Sequence, residues 1–448
     1  MSSTYKRILV ANRGDSAVRV IRACKEMGIE TVSIFSKGDK GALHTRLADY
    51  SICIGDVQSK DSYLNAYNIL AVATDYKVDA IHPGIGYFAE NADFCELCES
   101  CGIDYIGPNS KIIQLMGNKI EAKKVAKKSD IPIIGEDCIE INSYEECLNH
   151  ARQTGYPIIL KAANGGGGKG IRVVKKEEDL FRSFELCQKE AEKVFGASKI
   201  LVERYIEKAK HIEVQVLADQ YGNVIHLGDR ECTIQRNNQK LIEETRSHKL
   251  SEEIRNRMYQ GAIAICKHIG YVGIGTIEYL LEDDKSFYFM EMNTRLQVEH
   301  TITEIITGID LVKEQIRIAQ GEALEITQDD IHFNGYAIQC RILAEYFNGS
   351  FIPDYGKITR FDMPGGFGVR IDSSYEANNI VTIYYDSLLC KICCHDQDKK
   401  QAISKMLRCL DEMQVEGVST NKEVLISILK DTKFLEGDYT TDFLKTIK

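Results

Sequence analysis

The sequence has 448 residues, with 56 Lys and Arg against 66 Asp and Glu and a formal net charge of −10. An acidic chain argues against a general nucleic-acid-binding protein, whose electrostatic footprint is basic. No apolar run approaches the roughly 18 residues that a membrane span needs, and the N-terminus has no secretory signal pattern.

The first predicted region, residues 6–110, alternates short apolar strands with helices. Residues 7–11 form an apolar strand, and the apolar residues after Asn12-Arg-Gly-Asp recur at helical spacing up to Gly28, a typical helix end. Further strand-and-turn segments occur at 31–35, 80–84 and 105–108. This alternation is typical of a parallel α/β domain.

The rest of the chain divides into a small α/β unit at 120–205, a strand-rich region that becomes helical at 206–320, and strands followed by helices at 332–448. The predicted helices in these regions are 119–128, 144–154, 310–319, 402–413 and 421–429. We find no internal repeat and no low-complexity linker, so we expect the domains to pack against one another.

The fifteen cysteines show no disulfide-like frame, which favours reduced thiols and a cytoplasmic location. Cys95, Cys98 and Cys101 repeat a C-x-x-C step that can bind zinc. They also lie three residues apart on a predicted helix, with no second ligand pair nearby. We therefore favour a stripe of buried thiols over a metal site.

The densest glycine cluster is Gly165-Gly-Gly-Gly-Lys-Gly170. It fails the Walker pattern, because Gly170 follows Lys169 where Ser or Thr is required, and Ala163 replaces the first glycine. It also fails the Rossmann pattern, because a β-type run rather than a helix follows it. A strand on each side predicts a hairpin flap that covers nucleotide phosphates, with Lys161 placed to reach a phosphate. A mobile surface hairpin without function is the alternative.

A second predicted hairpin joins residues 275–281 to residues 287–293. Glu291 and Asn293 point to the same face of their strand, and Glu278 lies within a rung or two on the partner strand. Two carboxylates and an amide oxygen suit Mg²⁺ rather than zinc. Such a cation would bridge nucleotide phosphates.

The alternation beyond this hairpin predicts one polar face that carries Glu291, Asn293, Arg295, Gln297 and Glu299. A solvated face of an amphipathic strand is one interpretation. A phosphate flap in the same chain favours the other, in which Arg295 binds an anion and Glu299 is a general base.

Ten motifs extend over nearly the whole chain, and together they resemble the biotin carboxylases, a family of ATP-grasp enzymes. They are Ile8-Leu-Val-Ala-Asn-Arg-Gly, Ile81-His-Pro-Gly, Leu115-Met-Gly-Asn-Lys, Ile159-Leu-Lys-Ala with the glycine loop, His211-Ile-Glu-Val-Gln-Val-Leu-Ala-Asp, Gln239-Lys-Leu-Ile-Glu-Glu, Glu291-Met-Asn-Thr-Arg-Leu-Gln-Val-Glu-His, Ala337-Ile-Gln-Cys-Arg, Pro364-Gly-Gly-Phe-Gly-Val-Arg and Tyr384-Tyr-Asp-Ser.

The resemblance implies an α/β fold (α+β overall) of three parts. These are an N-terminal pre-ATP-grasp domain at 1–115, an ATP-grasp domain at 120–320 with a mobile lid at about 133–205, and a C-terminal domain at 332–442.

The resemblance also implies a role for each matching residue. The residues that would bind ATP are Lys119, Lys161, Gly167, Gly168, Glu203, Arg204, Ile206, His211, Asn238, Glu278 and Glu291, with His211 in the ribose region. Two Mg²⁺ (or Mn²⁺) ions would be held by Glu278, Glu291 and Asn293. Bicarbonate would be bound by Lys240, Arg295, Gln297, Val298 and Glu299. Glu299, Arg295, Lys240 and Arg341 would be catalytic, with Arg341 at the biotin.

The implied reaction carboxylates biotin on a carrier protein. Glu299 deprotonates bicarbonate, which attacks the γ-phosphate of ATP to give ADP and carboxyphosphate. Carboxyphosphate breaks down to CO₂ and phosphate, the phosphate takes the N1′ proton of biotin, and Arg341 stabilises the enolate. Fixed cations are needed because charge builds up on phosphoryl and enolate oxygens.

Several positions depart from the family pattern, chiefly around the expected biotin rim. Tyr is replaced by Ile85, Glu-Ile by Asp15-Ser16, an Ala-Pro-Ser-Pro-like run by Thr245-Arg-Ser-His, Pro by Thr301, Asp-Pro by Tyr346-Phe, and a common His by Asn238. The charged catalytic positions are unchanged.

The expected assembly is the biotin carboxylase subunit of an acyl-CoA carboxylase, most simply acetyl-CoA carboxylase. The chain has no Met-Lys-Met biotin-attachment motif, so a biotin carboxyl carrier protein and carboxyltransferase subunits would be separate partners of a homodimer. The alternatives are the equivalent subunit of a pyruvate or other acyl-CoA carboxylase, or a nucleotide-binding paralogue with impaired turnover. We expect neither nucleic-acid nor membrane partners.

Overall fold

The computed structural model describes residues 4–135, 140–162, 170–195, 199–236, 239–283, 285–348 and 350–446. Its first part alternates strands and helices as predicted. The elements are β1 (Arg7–Val10), α1 (Gly14–Glu26), β2 (Glu30–Ser36), α2 (Leu43–Leu47), β3 (Tyr50–Gly55), α3 (Ala66–Asp75), β4 (Ala80–His82), α4 (Ala92–Ser100), β5 (Asp104–Tyr105), α5 (Ser110–Gly117) and α6 (Lys119–Lys128).

The five strands form one parallel sheet in the order β3-β2-β1-β4-β5. Helix α1 buries its apolar stripe, including Val20, Ile21 and Cys24, against this sheet and the neighbouring core. The helix ends before Gly28, whose φ of +73° lies in the left-handed region that favours glycine. The predicted parallel α/β domain is therefore confirmed.

A small unit follows, and we call it the lid. Its elements are α7 (Tyr144–Thr154), β6 (Ile158–Ala162), β7 (Ile171–Val174), α8 (Leu180–Phe195) and β8 (Ile200–Arg204). The strands form an antiparallel sheet in the order β7-β6-β8, packed on the two helices around a core of its own. The strand–glycine loop–strand prediction is confirmed for both strands, and residues 163–169 of the loop lie outside the described residues.

The next elements are β9 (Lys210–Ala218), β10 (Val224–Arg236), β11 (Gln239–Thr245), α9 (Glu252–Ile269), β12 (Gly273–Leu281), β13 (Phe287–Asn293), α10 (His300–Thr307) and α11 (Leu311–Ala319). Helix α9 was not predicted from the sequence. It begins after Ser251, whose side chain caps it, and ends at Gly270. This helix packs on β9 and β10 and buries Met258, Ala262 and Ile265 in the core of the central sheet.

The last elements are β14 (Tyr336–Leu343), β15 (Glu345–Phe347), β16 (Phe351–Pro353), β17 (Gly356–Lys357), β18 (Arg360–Asp362), β19 (Val369–Ser373), β20 (Ile380–Val381), β21 (Leu388–Asp396), α12 (Lys399–Glu412), β22 (Gln414–Glu416), α13 (Lys422–Lys430) and α14 (Thr432–Glu436). Strands β14, β19 and β21 complete an antiparallel eight-stranded sheet, β13-β12-β9-β10-β11-β14-β21-β19. One sheet therefore runs through both regions predicted at 206–320 and 332–448, joined where β11 pairs with β14.

Within the described ranges, no helix is both long and apolar enough to cross a membrane.

Candidate active site

One cavity of about 620 Å³ lies between the lid, the eight-stranded sheet and helix α6. The predicted site residues that the structure describes all line this cavity, although they come from many different elements and loops. They are Lys119, Lys161, Glu203, Arg204, Ile206, His211, Lys240, Glu278, Glu291, Asn293, Arg295, Gln297, Val298, Glu299 and Arg341. Gly167, Gly168 and Asn238 lie outside the described residues.

Glu203 lies at the lid end of the cavity, between two lysines. The Nζ of Lys161, on the neighbouring strand β6, lies 2.8 Å from Glu203 Oε2, and Lys123 on α6 bonds to the other oxygen. Burial alone would raise the pKa of Glu203, but the two ammonium groups lower it to about 2. Glu203 is therefore a buried anion at neutral pH. Lys123 was missed by the sequence analysis because it lies on a helix with several other lysines.

The hairpin of β12 and β13 places Glu278 directly opposite Glu291, as the cross-strand register requires. Asn293 Nδ2 donates to Glu278 Oε1 at 2.9 Å, and Lys119 Nζ lies 2.5 Å from Glu291 Oε2. Glu278, Glu291 and Asn293 thus offer oxygen ligands in a small volume, which is the donor set that Mg²⁺ prefers. The residues present fit the predicted Mg²⁺ site.

Lys240 on β11 is the centre of the second half of the site. Its Nζ lies 2.5 Å from Glu213, 2.5 Å from Glu299 and 3.1 Å from Glu278. Arg341 on β14 reaches the other oxygen of Glu299 at 3.1 Å. These charged groups, from four strands and one loop, form a continuous buried ion network beside the hairpin carboxylates.

The charge state of Glu299 follows from this network. Burial alone would raise its pKa, but Lys240, Arg341 and Arg230 outweigh burial and hold the pKa well below its ordinary value. Glu299 is therefore ionised, and both of its oxygens are oriented by cations.

Arg230 on β10 lies beneath the site and bonds to several of the side chains around it. It was not predicted from the sequence. Its guanidinium is fully buried and donates to Glu213 at 2.5 Å, to Gln215 and Thr303 at 2.8 Å and to Gln297 at 2.7 Å. A buried guanidinium with this many partners fixes the side chains around it. The available signal was the polar residues at every second position of the two neighbouring strands, His211, Glu213 and Gln215 on β9 and Thr276 and Glu278 on β12, which mark a polar sheet face.

The predicted continuous polar strand from Glu291 to Glu299 is wrong beyond Asn293. Strand β13 ends at Asn293, a short irregular connection follows, and Glu299 is the residue that precedes α10. The side chains still converge because the chain turns back over the sheet, with Arg295 Nη2 donating to Asn293 Oδ1 at 3.0 Å. Arg295 is also held from the N-terminal domain by Glu90, at 2.7 Å.

Two further predicted residues contact neighbours that the sequence did not indicate. His211 Nε2 lies 3.0 Å from Glu278 Oε2, so its ring faces the predicted metal ligands as well as the cavity. Arg204 makes a two-fold salt bridge to Glu282, at 2.6 and 2.9 Å. Both residues therefore have a structural partner in addition to any ligand.

The predicted stripe of buried thiols on α4 is confirmed for Cys95 and Cys98 and wrong for Cys101, which is exposed at the end of the helix. Burial raises the pKa of both buried thiols to about 12, so they remain protonated.

Three segments of the chain match known protein families. Residues 4–113 match the family described as "Biotin carboxylase, N-terminal domain", residues 118–327 match "Carbamoyl-phosphate synthase L chain, ATP binding domain", and residues 339–446 match "Biotin carboxylase C-terminal domain".

Individual proteins are similar over nearly the full chain. Biotin carboxylase 1 of Bacillus subtilis is 47% identical over 442 residues, which cover 98% of each protein. A pyruvate carboxylase subunit of Methanothermobacter thermautotrophicus is 46% identical over 98% of this chain and 89% of its own.

Among solved structures, the biotin carboxylase domain dimer of Hydrogenobacter thermophilus 2-oxoglutarate carboxylase, in complex with MgADP, ADP and bicarbonate, superposes with a TM-score of 0.96. It is 46% identical, over 99% of this chain and 98% of that one. Given 47% identity to a biotin carboxylase along almost its entire length, the chain belongs to the biotin carboxylase family, ligases that use ATP and Mg²⁺ to carboxylate biotin.

Proposed function

We propose that the cavity carries the three substrates of biotin carboxylation in order, with ATP beneath the lid, bicarbonate at Lys240 and Glu299, and biotin at Arg341. The observation that carries this proposal is the continuity of the cavity. Its lining changes from lysines and metal-type oxygens at one end to a cation–carboxylate network at the other.

At the ATP end, the cavity is lined by Lys119 and Lys161, which would supply positive charge for the phosphates, and by the apolar side chain of Ile206, which would border the base. Glu278, Glu291 and Asn293 would hold two Mg²⁺ ions, which neutralise charge on the phosphates when bound. Lys119 and Lys161 are now engaged by Glu291 and Glu203, so each is held beside the nucleotide cavity before any ligand arrives.

At the bicarbonate end, Glu299 is the proposed base. Its pKa is low because Lys240 and Arg341 are close, and the same cations lower the pKa of a bound bicarbonate. The two effects offset each other, so proton transfer from bicarbonate to Glu299 does not require a raised carboxylate pKa. Arg295 and Gln297 would orient the anion for in-line attack on the γ-phosphate.

At the biotin end, Arg341 keeps a fixed positive charge next to Glu299 and would stabilise the enolate of biotin. Carboxyphosphate formed in the adjacent space would release CO₂ and phosphate, and the phosphate would take the biotin N1′ proton. Because these steps share one cavity, the CO₂ is formed where the enolate can capture it.

The experiment that tests these roles is carboxylation of free biotin with ATP, Mg²⁺ and bicarbonate. Glu299→Gln should reduce bicarbonate-dependent ATP hydrolysis by about 100-fold or more, because the amide cannot accept the proton. Glu325→Gln, an exposed Glu-to-Gln change away from the cavity, is the matched control. Turnover by Glu299→Gln at the control rate would rule out Glu299 as the base.

We further propose that the chain is the biotin carboxylase component of acetyl-CoA carboxylase, a homodimer that works with a separate biotin carboxyl carrier protein and carboxyltransferase. Its match to Biotin carboxylase 1 of Bacillus subtilis over 98% of each protein supports the biotin carboxylase component, and the dimer of the Hydrogenobacter thermophilus domain supports the homodimer. The almost equal similarity to the pyruvate carboxylase protein of Methanothermobacter thermautotrophicus supports a second candidate, in which the acceptor is pyruvate. Capture of the native carboxyltransferase with the tagged chain, followed by assay with acetyl-CoA and with pyruvate, distinguishes the two.

The domain boundaries at 1–115, 120–320 and 332–442 stay part of this proposal, with the lid as the unit that moves over ATP. Limited proteolysis with and without ATP tests it. Protection by ATP should be confined to sites within about 133–205.

A further inference from the structure

Arg341 is held from behind by a second carboxylate that does not line the cavity. Glu243 Oε1 accepts from the Nε of Arg341 at 2.6 Å and lies 2.5 Å from its Nη2. Glu243 is fully buried, and it holds the guanidinium through two nitrogens, whereas Glu299 contacts one. The direction of the Arg341 side chain therefore depends on the position of Glu243.

Glu243 belongs to a rung of polar side chains that crosses three strands. In the sheet register, Glu243 on β11 lies opposite Gln339 on β14, and Gln339 lies opposite Cys393 on β21. All three are fully buried on the sheet face that α10 covers, and Thr301 of α10 lies over them. A polar rung in such a place is stable only if each member has its hydrogen bonds.

The hydrogen bonds along this rung run in one direction. The thiol of Cys393 lies 3.3 Å from Thr301 Oγ1 and 3.5 Å from Gln339 Oε1, and the Thr301 hydroxyl donates to Gln339 Oε1. The amide Nε2 of Gln339 then donates to Glu243 Oε2 at 2.9 Å. Because its oxygen is occupied by a donor, the Gln339 amide cannot turn over, which would place its oxygen against the Glu243 carboxylate.

We propose that Thr301 and Gln339 are positioning residues for biotin carboxylation, which hold Glu243 and through it the guanidinium of Arg341. The inference rests on the proposed role of Arg341 at biotin and extends it to residues outside the cavity. Proline, which the family pattern has at position 301, carries no hydroxyl, so this bond is a feature of the present chain.

The effect should be selective for one half of the reaction. Arg341 would contact biotin directly. A small turn of its guanidinium leaves the positive charge beside Glu299, which also keeps its own 2.5 Å contact with Lys240. Loss of the Thr301 hydroxyl should therefore impair the biotin step and leave ATP cleavage with bicarbonate intact. If Thr301 only stabilised the fold, its substitution would lower the biotin step and ATP cleavage together.

The experiment compares Thr301→Val with Thr301→Ser in the full chain. Valine has the shape of threonine without the hydroxyl, and serine keeps the hydroxyl. We expect Thr301→Val to lower kcat/KM for free biotin about tenfold, the loss of one buried hydrogen bond to a side chain that orients a charged group. Thr301→Ser should stay within about twofold of the wild type, and ATP hydrolysis with bicarbonate and no biotin should be unchanged in both.

Gln339→Met, which keeps the volume and removes the amide, provides a second variant and should show the same selective loss if Thr301→Val does not fold. The inference would be overturned if a folded Thr301→Val or Gln339→Met protein kept the wild-type kcat/KM for free biotin. A parallel fall in biotin carboxylation and in ATP hydrolysis with bicarbonate would overturn it as well. Arg341→Met separates the two proposals. If Arg341→Met keeps the wild-type kcat/KM for free biotin, the role of Arg341 itself is refuted. If kcat/KM falls in Arg341→Met but not in Thr301→Val, only the positioning role is refuted.

Discussion

The buried pair of Lys123 and Glu203 is a contact between the lid and the body of the protein, and its removal has a calculable effect. Lys123 lies on α6, whose neighbours Ala122 and Val125 pack into the core of the central sheet, whereas Glu203 lies on β8 of the lid. Both side chains are almost fully buried. Lys123→Met keeps most of the aliphatic length and removes the charge, leaving Glu203 with Lys161 alone.

The magnitude follows from the charge state of Glu203. Its pKa falls from the ordinary 4.5 to about 2, although burial alone would raise it. This shift corresponds to about 3 kcal/mol of net stabilisation of the carboxylate, supplied by the two lysines. Because Lys161 remains, we expect Lys123→Met to lower the free energy of unfolding by about 2 kcal/mol, less than the roughly 3–5 kcal/mol typical when a buried charge loses its only partner. Lys161 would also stay more tightly bound to Glu203, which should raise the KM for ATP roughly fivefold.

Urea unfolding and the ATP dependence of the steady-state rate measure these two effects. Lys124→Met is the matched control, because Lys124 is the next residue of the same helix, is exposed, and pairs on the surface with Glu121. It should lose no more than about 0.5 kcal/mol and keep the wild-type KM. A Lys123→Met protein that behaves like Lys124→Met in both measurements would refute the assignment of Lys123 as the second counter-ion of Glu203.

Three further predictions concern the site. Arg230→Lys should lower kcat about 100-fold in steady-state assays, because the three donors of an ammonium cannot replace the five bonds that the three nitrogens of the guanidinium make; a kcat within about threefold of the wild type would contradict this. The folded-state pKa of Glu203 is depressed, so its stabilisation is complete above about pH 4.5 and is lost as the pH falls toward 2. The difference in unfolding free energy between the wild type and Glu203→Gln should therefore shrink between about pH 5 and pH 3, and a constant difference would show that Glu203 does not titrate there. Glu278→Gln should raise the Mg²⁺ concentration for half-maximal activity about tenfold, and an unchanged Mg²⁺ dependence would exclude Glu278 as a ligand.

Many helices and strands could be predicted from the sequence because the patterns that indicate them are local. The predicted helices at 119–128 and 144–154 coincide with α6 and α7, each of which begins after an Asn or Ser whose side chain caps it. The parallel domain followed from the alternation of apolar strands with helices. The longest helix described, α9, was missed in spite of its cap at Ser251, because the region around it is dominated by strands.

The candidate site was predictable to the extent that its residues lie in short motifs, and the described part of the predicted set lines one cavity. The sequence could not show that β13 stops at Asn293, since the polar alternation continues to Glu299 without a break. Where the chain turns, the backbone N–H of Thr294 and the side chain of Arg295 both donate to Glu90, which lies 205 residues before Arg295 in the sequence.

The sequence by itself determined which chemical groups are present, the alternation of strands and helices in the N-terminal domain, the strands on each side of the glycine loop, and the candidate oxygen ligands of the β12–β13 hairpin. Each of these depends on residues that are neighbours along the chain. Only the tertiary structure decided that β11 pairs with β14, and with it the convergence of Lys240, Glu299 and Arg341. It likewise decided that Arg230, Lys123 and the rung behind Arg341 lie next to the candidate site. These are contacts between side chains far apart in sequence, and strand order, which creates them, is set by packing over the whole sheet rather than by any local pattern.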